Sequence, residues 1–137
     1  MNEESNLRIV QQCYEKFGSG DILGLLSNLS GDIKWLTPAV ENSPMAGQRS
    51  GLAQVSEFFD LLGKTLDISR FEQLEFVAQD EKVVVLGEFA ATVKPTGRSY
   101  ESEWVHVFHL RDGKITSFQE FFDNAAATRA FQKSVTA

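Results

Sequence analysis

The feature that most limits the fold is a succession of four strand-like runs, at about residues 68–79, 82–94, 99–110 and 114–122. Only the short breaks QDEK, PTG and RDG separate them. Connections this short cannot carry a crossover, so consecutive strands must run antiparallel, as a meander. Apolar residues occupy both faces of these strands. In "KVVVLGEFAATV", Val83, Val85, Phe89 and Ala91 share one face, and Val84, Leu86 and Ala90 the other. In 100–110, Trp104, His106 and Phe108 lie together, opposite Val105 and Val107. A sheet that is apolar on both faces needs both of them covered.

The residues ahead of the meander read mainly as helix. Leu7, Val10, Tyr14 and Phe17 are at helical spacing between about Glu4 and Phe17. "GSGD" ends that helix and offers Asp21 as the N-cap of a short second one, with Ile22, Leu23, Leu25, Leu26 and Leu29. "IKWLT" is strand-like, and residues 38–50, with Pro38, Pro44 and Gly47, form a loop long enough to suggest function. Ser50 is placed to cap a third helix carrying Leu52, Val55, Phe58, Phe59, Leu62 and Leu66. A last helical segment starts near Asp123 and runs through AAATRAFQ. The order ααβαββββα, in one domain spanning residues 1–137, indicates α+β and not a parallel α/β sheet. The helices can cover one sheet face. A second copy is expected on the other, as a homodimer through the sheet, the alternative being the last helix folded over that face.

Charge and cysteine content narrow the function. The net charge is −6 and Lys and Arg are scattered, which argues against nucleic-acid and anionic-membrane partners. The single cysteine, Cys13, allows no internal disulfide. "MNEESNLR" lacks the apolar region of a signal peptide, and no apolar run approaches the roughly 20 residues that span a bilayer. A cytoplasmic protein is expected. With eleven Phe against two Tyr, the core should be strongly aromatic.

"YEKFGSGD", "LSGDIKWLTP", "PMAGQRSGLAQVSEFF" and "EWVHVFHLRDGKITSFQEFFD" together closely resemble the SnoaL-like branch of the nuclear transport factor 2-like superfamily. More narrowly, they resemble its bacterial ketosteroid-isomerase-related group. The resemblance covers nearly the whole chain and is specific for fold, not activity. It implies a curved antiparallel sheet wrapped by N-terminal helices into a cone (the cystatin-like roll), with an apolar pocket inside and frequent dimerisation. Its members include steroid isomerases, polyketide cyclases, epoxide hydrolases, dehydratases and non-catalytic binders. Steroid isomerases need an Asp base on the first strand, plus a Tyr and a protonated Asp as oxyanion donors. Alignment on "TP", "GSGD" and "VHVFHL" puts Thr37, Cys13 and His106 at those positions, which argues against that activity. The Asp–Arg–Asp set of limonene-type epoxide hydrolases is met only at Asp123, with Glu101 and Ser99 (beside Arg98) at the other two positions. Polyketide cyclases of this fold use an aspartate near the same final-strand position, so Asp123 is the residue the resemblance carries over.

His106 therefore reads either as a pocket acid/base or as a histidine packed between Trp104 and Phe108. Asp123 reads as a general acid/base, as the N-cap of the last helix, or as both. Trp35, Trp104, Phe118, Phe122 and Phe58 are expected to line the ligand pocket, though each alone would also suit an ordinary core. Glu88 interrupts an apolar strand and is assigned to the ligand site as a partner for His106, while Glu120 is read as exposed. The RDG turn leaves two registers open. A two-residue turn pairs His106 with Gln119, and a three-residue loop pairs it with Phe118. The second is expected, because it keeps Phe118 and Phe122 on the face of Trp104.

No metal site is expected, since His106 and His109 lack a third ligand at usable spacing. There is no glycine-rich phosphate loop, and "GQRSG" has no nucleophile elbow. Cys13, near Val10 and Phe17 on its helix, reads as buried. The function that follows is a small-molecule pocket protein with cofactor-free acid/base chemistry of the isomerase, cyclase or dehydratase type. Its ligand is small, apolar or aromatic, and oxygen-bearing, and Asp123 and His106 form the acid/base pair. The alternative is a non-catalytic ligand-binding or dimerisation module.

Overall fold

A computed structural model describes residues 2–133. The elements are α1 (Glu3–Gly18), α2 (Ile22–Leu26), β1 (Leu29–Thr37), β2 (Gly47–Ser50), α3 (Leu52–Thr65), β3 (Leu66–Gln79), β4 (Lys82–Val93), β5 (Arg98–Arg111), β6 (Lys114–Phe122) and α4 (Asn124–Phe131). Asn2 and Asp21 cap α1 and α2, accepting from the amides of Ser5 and Gly24, each at 2.8 Å. Residues 38–50 are not all loop, because β2 pairs with β1. Ser50 therefore belongs to a strand, and Gly51 is the N-cap of α3, with no side-chain bond there. Leu29 and Leu66 likewise open strands, not the helices they resemble by spacing.

The six strands form one sheet in the order β2-β1-β6-β5-β4-β3. β3 to β6 are the antiparallel meander the short turns require. β1 lies parallel to β6, an orientation open to it because no hairpin joins the two. Register shifts in β1 and β3, and between β5 and β6, mark bulges, which bend and twist a sheet. The concave inner face carries Val83, Val85, Phe89, Trp104, His106, Phe108 and Phe118, all buried. α1 and α3 pack on it with Val10, Cys13, Val55 and Phe58.

α4 buries Ala126, Ala127, Ala130 and Phe131 against the inner side, and Thr96 Oγ1 donates to the carbonyl of Ala130 at 2.7 Å. It does not cover the outer face, where Leu36, Val77, Leu86 and Phe121 stay exposed in the single chain. No helix among the described residues is long and apolar enough to cross a membrane.

The RDG turn combines elements of both expected registers. Asp112 and Gly113 have φ of 51° and 80°, as a two-residue type I′ turn requires, and Arg111 pairs with Lys114. A bulge then adds a residue to β6, so that His109 faces Ser117 and His106 faces Glu120. Neither Gln119 nor Phe118 is the partner of His106. The bulge nevertheless restores the expected face, with Phe118 and Phe122 on the side of Trp104.

Candidate functional site

Three side chains from three elements meet on the inner face. Tyr14 of α1 brings its hydroxyl to 2.7 Å from Nδ1 of His106 on β5, and Nε2 of the same ring lies 2.9 Å from Oε2 of Glu120 on β6. With Glu120 ionised its carboxylate only accepts, so Nε2 carries the proton and donates to it. Nδ1 of the neutral ring is then the acceptor, and the Tyr14 hydroxyl donates to it. Helical spacing with Val10 and Phe17 turns Tyr14 inward, and strand alternation does the same for His106 and Glu120.

The imidazole is held by aromatic rings as well. Trp104 stacks against it at 4.0 Å, and Phe118 meets it edge-on at 4.8 Å. Trp104 reaches that position because its cross-strand partner is Gly87. A Cβ on Gly87 would lie 2.1 Å from the indole and 2.2 Å from the Glu72 carbonyl.

These groups border an apolar cavity of about 120 Å³ between the sheet, α1 and α3. Among the described residues Glu120 is the sole carboxylate in its wall, and no Lys or Arg lines it. Burial, and then the Glu120 charge, push the Tyr14 phenol well above its ordinary range. The same two causes push Tyr100 up to about 12. Burial pushes the Cys13 thiol up to about 12, against a hydrogen bond with Asn28 that lowers it. Near neutral pH all three remain protonated. The segment between β1 and β2 closes one side with Pro38, Val40, Ser43 and Met45. Arg49 fastens it by donating to the carbonyls of Pro44 and Met45, at 2.9 Å each, while lying over the ring of Phe58.

Of the residues singled out in the sequence, His106, Trp35, Phe58, Phe118 and Phe122 line this cavity. Trp104 does not. It lies beneath His106 in the notch left by Gly87, 1% exposed. Glu88 is on the outer face, since β4 alternation sets it opposite Gly87 and Phe89, and it pairs there with Arg70 at 3.1 Å. Asp123 is exposed and outside the cavity wall, with its carboxylate accepting from the amide of Ala126 at 3.1 Å as the cap of α4. The carboxylate that reaches His106 is Glu120, which is not exposed as expected but has a side chain only 20% accessible. Tyr14 was the other residue missed. The alignment on "GSGD" points to Cys13, yet the i, i+4, i+7 pattern of Val10, Tyr14 and Phe17 already places the phenol on the buried face. Among the described residues no group of three His, Cys, Asp or Glu side chains is arranged to hold a metal ion.

A search of curated proteins gives no match. Solved structures do match. A protein described as NTF2-like from Burkholderia xenovorans superposes with a TM-score of 0.88 at 36% identity, over 96% of this chain and 99% of that one. An NTF2-like protein of unknown function from Burkholderia pseudomallei gives 0.86 at 28% identity, over 96% and 99%. TerC, co-crystallised with polyporic acid, gives 0.82 at 28% identity, over 93% and 98%. The family model for the SnoaL-like domain matches residues 10–118, a span that includes Tyr14 and His106. The chain therefore belongs to the SnoaL-like domain family, within the nuclear transport factor 2-like superfamily.

Proposed function

We propose that the chain is a small-molecule pocket protein that carries out cofactor-free proton transfer on a small aromatic ligand with an oxygen function. The observation that carries this reading is the hydrogen-bonded run Glu120–His106–Tyr14 along the wall of an otherwise apolar cavity. Apolar walls exclude water and strengthen the few polar contacts inside them. In this reading Glu120 and His106 take and return the proton, and once they hold it the Tyr14 hydroxyl is released to donate to the ligand oxygen on which charge develops. The acid/base pair is thus His106 with Glu120, not with Asp123. Steroid isomerisation by the relatives' mechanism is not part of the proposal, because Thr37, at the position of their base, spends its hydroxyl on the Met45 carbonyl. The complex of TerC with polyporic acid supports treating the cavity as a ligand site. The proposal extends to quaternary state, with a homodimer through the exposed outer face of the sheet.

Proton exchange at the carbon beside the carbonyl of indanone, in deuterated water, tests the chemistry without the natural substrate. The wild type should exchange those protons faster than buffer, and Glu120→Gln should lower the enhancement about a hundredfold. Binding without exchange would instead favour a non-catalytic binder. One feature favours that second reading: both ring nitrogens of His106 are already engaged within the protein.

A further inference from the structure

The Tyr14 hydroxyl has one proton, and the protonation state of His106 and Glu120 decides where that proton goes. With His106 neutral, Nε2–H is given to Glu120 and Nδ1 accepts from Tyr14. The phenol proton is then turned inward to the ring, and the Tyr14 oxygen offers the cavity only lone pairs. One more proton on the His106–Glu120 pair reverses this. Nδ1 now carries hydrogen and donates to the Tyr14 oxygen, so the phenol proton is free to turn into the cavity. The outcome is the same whether the added proton resides on the imidazole or on Oε2 of Glu120 in the bond to Nε2, because in both cases Nδ1 must donate.

We propose that this relay makes the cavity select opposite ligand chemistries in its two protonation states. Deprotonated, it takes a neutral aromatic hydrogen-bond donor against Tyr14. Protonated, it takes a neutral aromatic acceptor such as a ketone. The proposal rests on reading the cavity as a ligand site, and it names the class of ligand that site admits.

The surroundings isolate the effect to that pair. From α1 the facing titratable groups are Tyr14 and Cys13, from β5 Tyr100, and from β6 Glu120. β4 presents Val85 as the near neighbour of His106, and β3 presents Phe71 at 6.3 Å, neither of which titrates. α3 contributes Phe58 and Phe59 to the wall. Cys13 and both phenols remain protonated through the neutral range, so none of them competes with the His106–Glu120 pair for the added proton.

Indole and indanone make the test. They are bicyclic molecules of similar shape, the first only a donor and the second only an acceptor. Their dissociation constants are measured by calorimetry at pH values on either side of the His106 titration, which is followed by its ring NMR signals. On crossing to the alkaline side, indole should tighten and indanone weaken, each about tenfold, the worth of one hydrogen bond. In Tyr14→Phe, which keeps the ring and its packing, both slopes should vanish while weak apolar binding remains. Parallel or flat pH profiles for the two ligands in the wild type would overturn the inference, as would opposite slopes that survive in Tyr14→Phe. Failure of either ligand to bind at any pH would instead overturn the ligand-site reading, and the inference with it.

Discussion

Cys13 shows how burial at a single residue becomes a property of the whole chain. Desolvation raises its thiol from 9.0 to about 12 in the folded state. The unfolded chain therefore releases this proton first, and stability depends on pH accordingly. The contribution is complete below about pH 9 and is lost as pH climbs toward about 12. Tyr100, raised from 10.0 to about 12, adds to the same decline from a higher starting point, and Tyr14 extends it. Urea midpoints measured against pH should fall across that window. Cys13→Ala should remove the earliest part of the fall, leaving the tyrosine part, and its own packing loss will not vary with pH. For the same reason the thiol should resist alkylation in the native protein near neutral pH.

At the scale of elements, Gly87 is what gives β4 and β5 their form under the site. A side chain there would collide with both the indole of Trp104 and the backbone of β3 at Glu72, neither of which can yield cheaply. Gly87→Ala should therefore destabilise the protein by about 3 kcal/mol, read from chemical denaturation. It should also disturb His106, visible in its ring NMR signals, because Trp104 is the surface on which that imidazole rests. The alternation of β4 and β5 was legible in the sequence, and with it the inward positions of Trp104, His106 and Phe108. The depth of Trp104 was not, since periodicity assigns a face but says nothing of the space left by a glycine on the neighbouring strand. Glu120 illustrates a second limit. Its partner is set by the turn at Asp112-Gly113, one of the two the sequence allowed, together with a bulge beyond it that no side-chain pattern specifies. A carboxylate among aromatic residues looks costly to bury, and the hydrogen bond from His106 offsets that cost.

At the scale of the molecule, the outer face of the sheet has a pattern that a single chain does not use. Val77, Val84, Leu86, Val105, Val107 and Phe121 lie side by side across β3 to β6. Glu72, Glu88, Glu101 and Glu103 stand toward one end of the strands, relieved in part by Arg70, and Lys82, His109 and Lys34 toward the other. Two copies facing each other with strands antiparallel would set acidic end against basic end across the apolar middle, which is the arrangement expected of the proposed homodimer. Sedimentation should show a dimer for the wild type and a monomer for Phe121→Glu, and higher salt should weaken the dimer. The parallel pairing of β1 with β6 has a consequence for biosynthesis. A chain made from its N-terminus produces Trp35 and its strand long before the strand that will lie beside it, with β3, β4 and β5 emerging in between. Until β6 leaves the ribosome, β1 has one unpaired edge and Glu120 does not yet exist to hold His106. The nascent protein thus carries a strand open to wrong partners until β6 emerges, and that one strand completes both the sheet and the site.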